Sequence, residues 1–186
     1  FEIATMGIDA GDVIMPGDFL HVDFGITYLR LNTDTQHHAY VLRPGESEAP
    51  RGLQEGLAAA NKVQDALTQA FRTGRSGNDI LAAVRRTVEA QNIDATIYSH
   101  PIGFHGHGAG AWVGSWESQA PVPGARGAYR LQANTAWSIE LNAQAPVPEW
   151  DGQVVRFMTE EDAYFDGETV RFLDGRQTEI TLIPRR

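Results

Sequence analysis

Acidic side chains at strand positions constrain this chain more than any other feature of its sequence. Residues 21 to 34, HVDFGITYLRLNTD, form a hairpin pattern with an acid near each end, Asp23 and Asp34. Leu20, Val22 and Phe24 alternate with His21, Asp23 and Gly25, the period of a half-buried strand. A carboxylate in such a strand is disfavoured unless it is paired or ligated. Ten residues stand between the two acids, and an even number allows them to lie directly opposite one another on one face. Opposed carboxylates repel, and one is driven to a raised pKa unless a cation sits between them. Taken alone, the hairpin is equally compatible with two solvated acids.

The rest of the chain adds weight to the cation. Glu140 in WSIELN shares a strand face with Ser138, flanked by Trp137, Ile139 and Leu141. A second acidic pair, Glu160 and Glu161, lies within MTEEDA, and histidines crowd the Gly-rich run SHPIGFHGHGAG. An isolated acid at any of these places is more often an exposed alternate position. Four carboxylates and a histidine, all in strand-like or Gly-rich settings, point together to an oxygen-rich metal site. One His among carboxylates suits Mn, Co, Fe or Zn, and four carboxylates can bridge two ions.

Composition bounds the alternatives. A chain of 186 residues with 42% hydrophobic and 21% charged side chains fits one globular domain. A formal net charge of −9 with no Lys/Arg cluster argues against a nucleic-acid partner. The absence of cysteine removes disulfides, thiolate zinc sites and Cys nucleophiles. No apolar run approaches the roughly 20 residues of a membrane-spanning helix. A cytoplasmic setting is preferred. Because the sequence begins at Phe1 rather than Met, the chain is expected to be part of a longer one.

Local patterns predict the scaffold. DVIMPGD, residues 12 to 18, ends in a Pro-Gly turn signal. TDTQHHAYVL returns as a strand, with His37 and His38 expected at a surface or strand edge. Leu53, Leu57, Ala60, Val63, Leu67, Ala70 and Phe71 recur at helical spacing, with Gly74 as the expected stop. A second helix follows Ser76, its expected N-cap, with Asp79 completing a capping-box variant. From residue 95 the pattern is β-rich, with an Asp-Gly turn at Asp166-Gly167 and a last strand in TEITLIP. Trp112 and Trp116, in the segment leading to Tyr129, are expected either to wall a substrate pocket or to pack as a surface loop.

The ordered series DFG…TD, SHPIGFHGH, SIE and EEDA resembles the pita-bread metallopeptidases: methionine aminopeptidase, aminopeptidase P and prolidase, with creatinase as a non-peptidase relative. The resemblance runs from about residue 12 to the end. It implies an α+β fold, a curved antiparallel sheet flanked by helices, forming a single catalytic domain over 1–186 that is incomplete at its N-terminus. It also implies two divalent ions, Mn2+ first, with Co2+, Zn2+ or Fe2+ as alternatives. Carried over by position, Asp23 resembles the Asp that chelates one ion and Asp34 the Asp that bridges both. Glu161 resembles the second bridging carboxylate, with Glu160 one residue away as the alternative. Glu140 resembles the Glu that binds one ion and serves as general base.

The histidines allow two assignments. His100, Gly103 and His107 fit the family spacing of a ligand His followed by a His that orients the substrate carbonyl. In the other assignment His107, in GHGAG, is the ligand, and no second His follows, because position 114 is Gly. The first is preferred, making His100 a ligand and His107 catalytic beside Glu140. The resemblance then implies metal-assisted hydrolysis of a peptide at its N-terminus, Xaa-Pro cleavage being preferred to methionine removal. A non-catalytic metal- or partner-binding module on the same fold is the alternative from another class. Implied partners are a peptide substrate and either a second copy of the chain or a missing N-terminal segment, with no nucleic acid and no membrane.

Overall fold

The computed structural model describes residue 11 and residues 13–184. Asp12, at the head of the DVIMPGD stretch, lies outside the described residues. The Pro16–Gly17 turn is present: the Asp18 amide donates to the Met15 carbonyl at 3.1 Å, and Gly17 takes φ +100°.

The helical stripes form two helices on one side of a sheet. Helix α1 (Arg51–Ala70) buries Leu53, Leu57, Ala60, Val63 and Leu67, and α2 (Gly77–Ala90) buries Ile80, Leu81, Val84 and Val88. The box at the start of α2 is complete. The Ser76 hydroxyl accepts from the Asp79 amide at 3.1 Å, and the Asp79 carboxylate accepts from the Ser76 amide at 3.1 Å, so two otherwise orphan donors are satisfied. Helix α1 stops before Gly74. Phe71 leaves the helix in an extended conformation, and its buried ring packs edge-on against Trp137 and Phe165, with centroids 4.9 and 5.5 Å apart. Aromatic packing therefore ends the helix, and Gly74 (φ +83°) supplies the turn that follows.

The strands are β1 (Phe19–Phe24), β2 (Thr27–Tyr28), β3 (Leu31–Asn32), β4 (Thr35–Val41), β5 (Asp94–Pro101), β6 (Val113–Gly114), β7 (Thr135–Val147), β8 (Gln153–Phe165), β9 (Val170–Phe172) and β10 (Thr181–Ile183). The main sheet runs β1-β4-β8-β7-β5-β6, with β9 on β8 and β10 parallel to β4. Its backbone is the β7–β8 hairpin, paired without interruption from Thr135↔Phe165 to Val147↔Gln153. Ile139, Leu141, Ala143, Phe157, Ala163 and Phe165 point to the helical side and form the core with α1 and α2. No helix among the described residues is long and apolar enough to cross a membrane.

The fit between α1 and the sheet is tight at Gly56, where an added Cβ would lie 2.0 Å from the Phe157 ring. Alanine is favoured over glycine by about 1 kcal/mol within a helix. Here the clash with a fully buried ring outweighs that gain. Gly56→Ala is expected to lower stability by about 1–3 kcal/mol, read from the midpoint of urea unfolding; an unchanged or raised midpoint would show that this contact yields freely.

Two expectations for the opening hairpin need correction. Asp23 pairs with Gln36 and Phe24 with Thr35, so Asp34 lies two residues further along the same face and is a diagonal neighbour of Asp23, not its opposite. The shift arises because a second small hairpin, β2–β3, closes the tip through Leu29 and Arg30, both at positive φ (48° and 67°). His38 is not at the surface but is 1% exposed, stacked on Phe19 at 4.8 Å. Strand β4 is interior: β1 covers one edge, while the Gln177 side chain bonds both the amide and the carbonyl of His38 at 2.7 Å on the other. Burial pushes the His38 pKa down to about 4. His37, on the opposite pleat, remains exposed as expected.

Candidate metal centre

The sheet register brings the acids together. Asp23 pairs with Gln36, Gln36 with Glu160, and Glu160 with Glu140, so four neighbouring strands place one polar residue each along a single line. Beside it, His100 pairs with Ser138 and Ser138 with Asp162, forming a second line one pleat away. Side chains of paired residues share a face, and this face is the one that α1 and α2 leave open.

Three overlapping sets of ligand atoms result, each within 4.8 Å: Asp34, His100 and His107; His100, Glu140 and Glu160; Asp23, Asp34 and Glu160. His100 sits on the floor, 2% exposed, whereas His107 stands at the rim, 66% exposed, with the ring centroids 4.5 Å apart. His107 Nε2 lies 3.5 Å from Asp34 Oδ2. His105 packs edge-on against Phe104 and joins none of the three sets.

The hydrogen bonding of His100 defines its chemistry. Its Nδ1 lies 3.1 Å from the Pro101 carbonyl, which can only accept, so Nδ1 carries a hydrogen, and in the neutral imidazole Nε2 is the nitrogen with a lone pair to offer. That Nε2 is buried, has no hydrogen-bond partner, and faces Glu140 Oε2 at 3.2 Å and Glu160 Oε1 at 3.7 Å. Three potential ligand atoms thus converge, one each from His100, Glu140 and Glu160, and the imidazole nitrogen among them has no hydrogen-bond partner. Burial, then the charges of Asp34 and Asp23, push the Glu140 carboxyl upward; burial, then Glu140, pushes Glu160 upward. Asp23 is raised by burial and by Asp34. A divalent cation relieves all of these together, and the oxygen-rich set with one imidazole fits Mn, Co, Fe or Zn.

Of the residues singled out in the sequence, Asp23, Asp34, His100, His107 and Glu140 meet at this face, and Glu161 does not. Glu161 pairs with Ile139 and turns to the helical side, where its carboxylate accepts from the Gln177 amide at 2.8 Å and lies 3.0 Å from His37 Nε2. Glu160 stands at the face instead, held by the Ser138 hydroxyl. The β7–β8 turn carried the missing signal: with the Pro148–Gly152 connection as pivot, position 140 falls opposite 160.

Three other residues complete the surroundings. Gln36 bridges Glu140 and Glu160, and Asp162, pushed up to about 6 by burial, accepts from the Asp34 amide at 3.3 Å. Trp112 lies 5.7 Å from the His100 ring with the Arg126 guanidinium over its face, so this part of the 112–129 segment borders the site. Trp116 packs on Tyr98 at 4.9 Å and is half-exposed.

The fold recurs in solved peptidases. A dipeptidase of Pyrococcus horikoshii OT3 superposes with a TM-score of 0.65 at 18% identity, over 91% of this chain and 42% of that one. An X-Pro aminopeptidase of Thermotoga maritima MSB8 gives 0.66 at 16% identity, over 91% and 43%. A methionine aminopeptidase of Thermotoga maritima gives 0.60 at 18%, over 90% and 66%. The chain therefore spans less than half the length of the first two. No curated protein matches it. At these identities the likeness speaks for the fold, which is the α+β pita-bread architecture with its large antiparallel sheet backed by helices. The family model described as metallopeptidase family M24 matches residues 3–174. The chain belongs to metallopeptidase family M24.

Proposed function

We propose that this chain is the catalytic domain of a dinuclear, divalent-metal-dependent exopeptidase that removes a residue from the N-terminus of a peptide, with Xaa-Pro bonds as the preferred target. The observation that carries this reading is the convergence of the buried, unpartnered His100 Nε2 with the Glu140 and Glu160 carboxyl groups. Asp23, Asp34, His100, Glu140 and Glu160 would hold the ions, Mn2+ first among them, Glu160 taking the place assigned from the sequence to Glu161. Bound there, divalent ions supply Lewis-acid polarisation of the scissile carbonyl and a more acidic water.

The chain's own groups do the rest. Glu140, largely buried and facing His100, takes the proton of the attacking water and returns one to the leaving amine. His107, at the rim beside Asp34, donates to the oxygen that becomes negative in the tetrahedral intermediate. Trp112 and the loop after it bound the side from which a peptide would enter.

The test is metal content together with Mn2+-dependent hydrolysis of Xaa-Pro dipeptides and tripeptides, with wild type beside Asp34→Ala and Glu140→Ala. About two ions per chain are expected, with hydrolysis reduced by roughly 10²–10⁴-fold in Glu140→Ala. Metal without hydrolysis would refute the peptidase reading for this chain, and no metal would refute the centre itself.

A further inference from the structure

Gln36 has no place in the ligand set, yet it occupies the middle of it. It is 2% exposed, and its one amide nitrogen donates to Glu140 Oε1 and to Glu160 Oε2, both at 2.6 Å. The Gln36 Oε1 lies 3.0 Å from His21 Nε2. An amide carries two N–H donors and one carbonyl, and here every one of them is used. Turned the other way, the carbonyl would join two carboxylates and set three acceptors against one another. His21, supplying a hydrogen to the carbonyl, fixes the orientation.

We propose that Gln36 is a positioning residue: a neutral two-pronged donor that holds Glu140 and Glu160 at a fixed separation, with His21 locking its orientation. This rests on the metal-centre reading for its purpose, though not for its geometry. The bonds from Gln36 take one oxygen of each glutamate and leave Glu140 Oε2 and Glu160 Oε1 towards His100. The donor must be uncharged, because a lysine or arginine here would neutralise the carboxylates and compete with a cation. It must also be as long as glutamine, since asparagine is one methylene short of spanning both. Outer-shell groups of this kind hold ligands in the orientation the ion requires.

Two measurements test the proposal separately. In the metal-free chain, the two side-chain amide protons of Gln36 should both resonate downfield of the free-amide position in a ¹H–¹⁵N spectrum. Glu140→Ala should return one of them, and Glu160→Ala the other. Free-amide shifts in the wild type would overturn the proposal, whatever the chain does with metal. In Mn2+ titrations, Gln36→Met should weaken binding roughly tenfold to hundredfold, and Gln36→Asn should not restore it. His21→Phe should weaken binding less, and the double variant should bind no worse than Gln36→Met alone, since both act through one amide. Wild-type affinity in Gln36→Met, or strictly additive losses, would overturn it. Downfield amide protons in a wild type that binds no Mn2+ would uphold the clasp and refute the metal reading.

Discussion

Glu160→Ala is expected to strip the chain of bound metal and of hydrolysis, while Glu161→Ala leaves both in place. The two side chains are adjacent in sequence and nearly equally buried, but the pleat of β8 sends them to opposite faces. Glu160 belongs to two of the three ligand sets, one with His100 and Glu140, the other with Asp23 and Asp34. Its loss should lower Mn2+ affinity by at least the roughly hundredfold that outer-shell changes reach, with activity falling alongside. Glu161 secures the Gln177 amide and His37, so its loss acts on the fold, by about 1–3 kcal/mol for an unpaired buried donor. Metal analysis by mass spectrometry and a thermal melt on each variant separate the outcomes. Metal lost from Glu161→Ala and kept by Glu160→Ala would reverse the assignment.

Without metal, the chain should become less stable as the pH rises above 6.5, and Mn2+ should reverse the trend. Glu140 and Glu160 have an ordinary value of 4.5 and are raised in the fold by burial and by neighbouring carboxylates. Above 4.5 the native state therefore holds more protons than the unfolded chain. Their favourable contribution is complete below 4.5 and is lost as the pH climbs through the raised values. His38 acts with the opposite sign. Its value falls from 6.5 to about 4, so its contribution is complete above 6.5 and disappears as the pH drops through 4. Between 4.5 and 6.5 the two slopes oppose one another, and above 6.5 the carboxylates act without His38. Melting in chelator at pH 6.5, 7.5 and 8.5 should give a declining series. Mn2+ at about 100 times its dissociation constant adds roughly 2.7 kcal/mol, which for this size is about 5–10 °C. A flat series in chelator, or a melting temperature indifferent to Mn2+, would contradict the crowding of charge at this face.

Much of the scaffold was legible because its signals are local. The Leu53–Leu67 and Ile80–Val88 stripes and the Ser76–Asp79 box need only helical spacing and one hydrogen-bond pattern. The end of α1 was less legible, because it depends on Phe71 meeting Trp137 and Phe165 from far along the chain. At the site, Asp23, Asp34 and Glu140 announced themselves as charges in strands. The choice between Glu160 and Glu161 is a question of strand phase, which charge cannot answer and the turn at 148–152 can. Gln36 gave no signal at all: an uncharged amide in a strand invites no explanation until two carboxylates are found on its nitrogen. The burial of His38 has no local signal, because a strand's neighbours, here β1 and the Gln177 side chain, decide whether its face is wet.

The tip of the opening hairpin is tied to the histidine loop by Asn32, with the Arg30 guanidinium also lying 6.0 Å from the Phe104 ring. Asn32 donates from its backbone amide at 3.0 Å and from its side chain at 2.6 Å, both to the Gly103 carbonyl. The hairpin carries Asp23 and Asp34; the loop lies between His100 and His107. Local opening runs through contiguous units of a structure, and these bonds make the tip and the loop neighbours in such a unit. Fraying at the hairpin tip is thereby linked to release of the loop that carries His107, whereas His100, paired with Ser138 in β5, and the two glutamates of β7 and β8 stay with the sheet.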